Sequence, residues 1–546
     1  MRRILLVEPA YKNKYPPMGL MKISSYHKMM GDYVRFVKGT NSIISSQIWD
    51  RIYITSLFTF DFKITVNTIN HYKLLVNNTS NIFIGGIMAS LIPESIIEAT
   101  GLLKNNIVKG LLTDSSMIGD RKGINIDLLP LDYDILEDIK YKYPAGDNYF
   151  SYMTRGCPNN CDFCAVPDLE PCFHVTTKIN EQLSFIDNKY GSKRNLILLD
   201  NNILNAPDLS SLVNDLCEAG FARGAKYIDK GDFFTIIMRY RRGDRADFLD
   251  NKMKNYLNYF KKRIKLSSER ENYINILLDS EDQEDFASYI LLHEKKLTEI
   301  IEKYQSRMPK SRYLDFNQGI DVRRINDETM TQLARLSIRP LRIAFDEIKF
   351  SNIYKKAVKT AFKHGIREIS NYILFNYNDK PEDLYERLRI NIELNQELGI
   401  QIFSFPMKYS PTDRIDRNYV GKYWNLKQIR AISAILHVTK GVVAAGTGFF
   451  YKAFGENLNK YFELLDMPRE MIMYRYYFEG TGDTLRWQHL YNSLNAEQKK
   501  RLLELIVLNK TDLKNTFWPN DLEEILSFYM LKYPRDNDYQ ISIYDN

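Results

Sequence analysis

The chain of 546 residues is 44% hydrophobic and 26% charged, the balance of a soluble globular protein. That length predicts roughly three or more domains, since one domain usually spans about 100–200 residues. A formal net charge of +7 permits an anionic partner without demanding one, and no run of about 18 apolar residues marks a membrane span.

The opening "RILLVEP" reads as a buried strand. Its apolar run, residues 4–7, is too short for a signal peptide, which predicts a cytoplasmic protein. "GLMKISSYHKMMG" follows with helical spacing, "RIYITSLF" as a second strand, "TVNTINHYKLLVN" as a helix and "NIFIGGI" as a strand ending in Gly85-Gly86. Repeated strand–helix units predict a Rossmann-like parallel sheet over residues 1–130. "IDLLPLDYDILED" leads into a linker over residues 131–150.

From Tyr152 the alternation resumes. "YFSYMTR", "NLILLDNN", "RYLDFNQGID", "LRIAFDE", "EISNYILFN" and "QIFSFPM" read as strands, with helices such as "TTKINEQLSFIDNKYG" and "NIYKKAVKTAFKHG" between them. This predicts a complete or partial βα barrel over residues 151–225 and 312–411, with functional groups at the C-terminal ends of its strands. Residues 226–311 break the rhythm as a charged helical insertion with "RYRRGDR" and "KKRIK", and residues 412–546 read as a helical C-terminal domain. The fold class expected is therefore α/β.

Three of the five cysteines, Cys157, Cys161 and Cys164, fall within eight positions as C-x3-C-x2-C at the end of "YFSYMTR". Five cysteines in so long a chain are not a disulfide framework. Thiolates suit zinc or an iron–sulfur cluster. A closed zinc site needs four protein ligands, and Cys172 or His174 is available as the fourth. Pro158, Asn159, Asn160 and Asp162 make the loop polar, which argues against merely buried thiols. Three ligands on one tight loop suit a cluster with one open iron.

With Phe163 just before the third cysteine and "YMTRGCP" ahead of the first, the loop resembles the signature of the radical S-adenosylmethionine superfamily. The resemblance implies that Cys157, Cys161 and Cys164 hold a 4Fe–4S cluster whose fourth iron is chelated by S-adenosylmethionine. Reductive cleavage then yields a 5′-deoxyadenosyl radical that abstracts hydrogen from a substrate. An external one-electron reductant such as flavodoxin or ferredoxin is implied as partner. Phe163 is placed near the adenine, or else anchors the loop. The family's Gly-Gly-Glu after the second strand is missing. Asp200 and Asn202 stand there as acceptors for the cofactor ammonium, or as turn residues. Asn317, Gln318 and Asp321 are placed at the barrel mouth near ribose or substrate. Arg323 resembles an arginine that holds the cofactor carboxylate, against a surface salt bridge. Asn376 ends a strand where relatives contact adenosine. Cys172 has no firm role, and Cys217 lies in a helix pattern that reads as core.

The first domain is similar to the cobalamin-binding-type domain that precedes many such cores, through "PPMGL", "ITSLF" and "IFIGGI". It lacks the Asp-x-His-x-x-Gly element that ligates cobalt, and His27 reads as an exposed helix residue. Cobalamin is therefore an open but disfavoured cofactor, although Gly85-Gly86 would let backbone approach a large planar group. No cysteine precedes Cys157, so the second cluster of methylthiotransferases is not expected. The lead function is hydrogen abstraction or radical methylation of a substrate the sequence does not name. The rivals are a member that docks nucleic acid or protein through the insertion and C-terminal domain, and a non-catalytic protein binding zinc or a cluster. In the insertion, basic side chains near Tyr256, Tyr259 and Phe260 would pair with phosphate and stack on bases, against a solvated helical face.

Overall fold

A computed structural model describes residues 1–41, 44–176, 179–229, 231–244, 247–263, 266–279, 285–304 and 308–534. The chain divides into two compact units. One comprises Met1–Asn159, Ala165–Asp315 and Arg335–Ile338; the other comprises Asn160–Cys164, Phe316–Ala334 and Arg339–Asn546. No helix among the described residues is long and apolar enough to cross a membrane.

The first unit opens with strands β1 (Arg3–Glu8), β2 (Tyr33–Lys38), β3 (Arg51–Ser56) and β4 (Ile82–Gly86), in the order β2-β1-β3-β4. All three pairings are parallel. Ile4, Leu5, Leu6, Ile52 and Ile84 are fully buried, as expected where helices cover both faces of a parallel sheet. The strand "YVRFVK" escapes a reading of apolar runs because Arg35 and Lys38 break its apolar residues into pairs. The helix Met18–Met29 packs its Leu20, Met21 and Tyr26 inward. His27 is also fully buried, contrary to the expected exposed position. Its Nδ1 meets Asp32 at 2.8 Å and its Nε2 meets the Tyr53 hydroxyl at 2.9 Å. Burial lowers its pKa to about 4.

The same unit continues with β5 (Tyr149–Ser151), the short antiparallel pair β6 (Thr154–Arg155) and β7 (His174–Val175), and β8 (Leu196–Leu198). β5 lies parallel to β8, within a sheet of order β11-β8-β5 in which β11 is Leu314–Phe316. "YFSYMTR" is thus two strands, and the thiol loop hangs from the second. The antiparallel pair β9 (Lys226–Tyr227) and β10 (Lys310–Ser311) flanks the helices Gly231–Arg241, Asp247–Arg263, Ser268–Asp279, Phe286–Leu292 and Glu294–Tyr304. These helices share a core of Phe233, Ile237, Met253, Leu257, Ile290 and Ile301.

The second unit holds a parallel sheet of β12 (Leu341–Ala344), β13 (Glu368–Phe375) and β14 (Gln401–Lys408), in that order. Helices Ser351–Lys363 and Pro381–Leu398 follow β12 and β13. C-terminal helices, from Leu426–Val438 to Glu523–Ser527, join Ile373, Phe375 and Leu388 in one core with Ile432, Phe450, Tyr461 and Trp487. Arg387, fully buried, donates to the carbonyls of Phe345, Asp346 and Leu374 and to the Asp379 carboxylate. One side chain thus fastens the C-terminal ends of β12 and β13. Among the described residues the six strands expected of a barrel form two three-stranded sheets rather than one closed sheet. The architecture shown is α/β, with parallel sheets and a helical C-terminal region.

Candidate functional site

In the first unit the approach to Cys157 is built from paired charges. Arg155 is 4% exposed and lies 3.4 Å over the Tyr152 ring. Its Nη2 reaches Asp127 at 2.6 Å and its Nη1 reaches Glu170 at 3.0 Å. Lys22, from the helix Met18–Met29, pairs with Asp127 at 2.8 Å. Two cations thus face two carboxylates in a buried patch, the arrangement that lets charges leave water. Next comes Gly156, with φ of 72°; a Cβ there would lie 2.5 Å from the Cys172 carbonyl oxygen. Only glycine fits that approach. Asn202 is 2% exposed and donates through Nδ2 to Cys157 Sγ at 3.4 Å.

Asp200, read as an acceptor for a cofactor ammonium or as a turn residue, turns one oxygen to the junction of β5 and β6. Its Oδ1 accepts from Met153 N, Thr154 N and Thr154 Oγ1, which fixes the break between β5 and β6. Its Oδ2 is buried and makes no hydrogen bond to the described residues. Burial raises its pKa to about 6, against the three hydrogen bonds that favour the anion.

Cys161 and Cys164 belong to the second unit, where Cys164 N donates to the Cys161 carbonyl at 2.9 Å. Phe163 meets Tyr377 edge-on at 5.7 Å, and Tyr377 meets Tyr409 at 4.7 Å. The ring is thereby an anchor among strand-end aromatics. Arg323 forms a fork with the Asp321 carboxylate, Nε to Oδ1 at 2.8 Å and Nη2 to Oδ2 at 2.9 Å. That is the salt bridge that competed with a cofactor-carboxylate role. The hydrogen bond to Asp321, and the neighbouring Cys161, raise its pKa. Asn317 is buried, its carbonyl accepting from the Tyr372 hydroxyl at 3.1 Å, whereas Gln318 is exposed.

Asn376 corrects another expectation. It is fully buried in the left-handed region, with φ of 69°. Its Nδ2 donates to the carbonyls of Tyr409 and Tyr419, and its Oδ1 accepts from Gly421 N. The amide pins the loop after β14 and is spent on backbone. Asp346, missed in the sequence, follows β12 and accepts from Leu374 N at 3.3 Å; burial raises its pKa to about 6. Its signal was the strand-end pair "DE" after "LRIAF". Glu170, also missed, has no motif of its own. Cys217 is half-buried, with Sγ 3.9 Å from the Arg335 carbonyl, and Cys172 is exposed.

The donor set fits an iron–sulfur cluster. All three thiols are half-buried and outside any disulfide, and an amide N–H at Cys157 and a guanidinium near Cys161 suit sulfur ligands of an anionic cluster. Among the described residues no group of three or more His, Cys, Asp or Glu is gathered to hold a metal, so the thiols are not presented as a preformed cage.

The N-terminal sheet does not fit a corrin in the same way. Glu8 and Lys38, paired across the C-terminal ends of β1 and β2, are 2.5 Å apart, and Glu8 is 2% exposed. The Tyr143 hydroxyl donates to Glu8, while Lys38 Nζ lies 4.6 Å over Tyr141. Tyr11, 4% exposed, bonds Thr65 beside them. The linker thus fills the strand ends where an α/β sheet receives its ligands. Gly86 serves packing too: a Cβ there would lie 2.2 Å from the Ser56 carbonyl oxygen.

The basic stretch of the insertion is likewise engaged. Arg239 pairs with Asp134 and Asp244, and Arg241 with Glu294. Tyr256 stacks between Phe233 and Phe260, although Tyr259 is exposed. Ile264 and Lys265 of "KKRIK" and residues 280–284 of the acidic run lie outside the described residues. In comparison with known proteins, no family model and no curated protein matches the chain.

Proposed function

We propose that the chain is a radical S-adenosylmethionine enzyme, with the two three-stranded sheets as its βα core and Cys157, Cys161 and Cys164 as ligands of a 4Fe–4S cluster. The observation that supports this reading above others is the C-x3-C-x2-C loop of half-buried thiols after a strand end, none of them in a disulfide, with nitrogen donors toward two of the sulfurs. When bound, the cluster and S-adenosylmethionine supply hydrogen-atom abstraction through a 5′-deoxyadenosyl radical. The chain's own contribution is positional. Asp200 and the Arg155 pairs set the direction in which the loop leaves β6, Asn202 donates to the first thiol, and the ring pair of Phe163 and Tyr377 limits water near the second half of the loop. A ferredoxin- or flavodoxin-type reductant would deliver the electron in a cytoplasmic setting. The filled N-terminal sheet favours hydrogen abstraction over cobalamin-dependent methylation.

The test is anaerobic reconstitution with iron and sulfide, then reduction by dithionite in the presence of S-adenosylmethionine. About four irons per chain and slow release of 5′-deoxyadenosine are expected. Zinc in place of iron, or a reducible cluster that never cleaves the cofactor, would overturn the reading.

A further inference from the structure

The thiol loop leaves β6 at Gly156 and returns to β7 after Cys172. Glu170 is where the two limbs are tied. Its Oε2 accepts from Gly156 N at 2.8 Å and from Asn201 Nδ2 at 3.0 Å, and its Oε1 accepts from Arg155 Nη1 at 3.0 Å. Its own carbonyl oxygen lies 2.8 Å from where a Gly156 Cβ would be, so the limbs touch backbone to backbone. The carboxylate therefore grips both neighbours of Cys157. On one side is the residue that precedes it. On the other is Asn201, next to the Asn202 whose amide meets Cys157 Sγ at 3.4 Å. Arg155 is in turn braced by Asp127, Nε to Oδ2 at 3.2 Å and Nη2 to Oδ1 at 2.6 Å, so the grip is rooted in the domain body.

We propose that Glu170 is a positioning residue that aims the Cys157 thiol, a role that rests on the reading of the loop as a cluster-binding loop. All three groups that reach the carboxylate are donors. A carboxylate offers only acceptors and satisfies them together, with charge-assisted bonds at two or more of its lone pairs. Glutamine has the same shape but turns an NH2 toward a donor on one side, so the grip opens without a change of volume. Once it opens, Gly156 and the turn of Asn201 and Asn202 are free to part, and Cys157 loses both its direction and its amide donor. Among the described residues the Glu170 carboxylate is hydrogen-bonded to none of the residues beside Cys161, Cys164 or Cys217, so those thiols make no use of this device.

The experiment uses the full chain, metal-free, with the other cysteines replaced by serine so that Cys157 is the only thiol. Alkylation by N-ethylmaleimide is followed by mass spectrometry over a range of pH. Glu170→Gln should raise the plateau rate about fivefold, and Asn201→Ala, which removes one of the three grips, about twofold. A matching chain with Cys217 as its only thiol should be unchanged by either substitution. An equal plateau rate at Cys157 overturns the proposal, as does a change confined to the midpoint pH, which would report charge alone, or an equal acceleration at Cys217, which would report general loosening. In a second arm the five-cysteine chain is reconstituted with iron and sulfide, where Glu170→Gln should hold less than about half the iron of the parent. A parent that takes up no iron would sink the cluster reading, and the alkylation arm would still decide the role of Glu170.

Discussion

Two strand-end edges of the first unit show how one topology serves two purposes. At the edge of the N-terminal sheet, Glu8, Lys38, Tyr141 and Tyr143 close over the ends of β1 and β2, and the polar groups named there answer one another. At the edge formed by β5 and β8, Cys157 stands half-buried, and Asp200 keeps an oxygen in the interior with no hydrogen bond to the described residues. Both edges lie where α/β sheets place ligands. The first is satisfied internally; the second keeps one buried carboxylate oxygen that no group among the described residues meets. A parallel sheet offers a place for chemistry, and the loops decide whether it is kept open.

The sharpest way to break this comparison is at the thiols. Cys157→Ala, Cys161→Ala and Cys164→Ala should each lower reconstituted iron by about tenfold or more, since three ligands cannot be reduced to two without loss of the site. Full iron retention in all three would remove the distinction between the edges. Substitution at the closed edge should do the reverse, costing stability and sparing iron. Lys38→Met leaves Glu8 buried without its cation, and the loss should be about 3–5 kcal/mol by urea denaturation. Adding Glu8→Gln should recover part of it.

The remaining tests use pH, and their signs are opposite. The neutral form of His27 is favoured in the folded chain, where its pKa is lowered to about 4. Its contribution is present above the unfolded value of about 6.5 and is lost as pH falls toward 4, about 3 kcal/mol in all. His27→Gln should flatten that slope of the N-terminal domain. Asp200 is raised to about 6, so its contribution is full below the ordinary carboxylate value and is lost as pH rises through 6. The two slopes oppose each other between about pH 4 and 6, so each is read as a difference between parent and variant. Asp200→Asn keeps an acceptor for the three donors of Asp200 but leaves a buried NH2 unpaired, so at pH 8 it should stay within about 1 kcal/mol of the parent.

The spacing of Cys157, Cys161 and Cys164 was legible because it is covalent and local; no tertiary arrangement alters which residues share a loop. The apolar run of β1 was legible for a related reason, since a strand buried on both faces shows itself as uninterrupted aliphatic sequence. β2 was not, because Arg35 and Lys38 interrupt its apolar residues. His27 reads as exposed from the sequence because one helix face looks much like another until the turn to Asp32 and the strand residue Tyr53 close on the ring. For Asn376 and Arg323 the sequence offers a resemblance to ligand-binding positions and, for Arg323, a salt bridge as the alternative, and only the structure shows that each is engaged by neighbours within its own unit.

By itself the sequence determined the thiol loop, the strand–helix alternation and the absence of a long apolar span. Tertiary structure decided which strand ends were open. Whether Glu8 or Asp200 faces a partner depends on groups from other elements, such as Tyr143 for Glu8 and Thr154 for Asp200, brought together only when the sheets form. The grip of Glu170 belongs to the same class. Its three donors come from two strand ends, and nothing in the local residue pattern around a single glutamate marks it. Burial makes such contacts count: away from water an unmet donor or acceptor costs more than a hydrogen bond returns, and so distant residues, not neighbours in sequence, settle where this chain can hold a ligand.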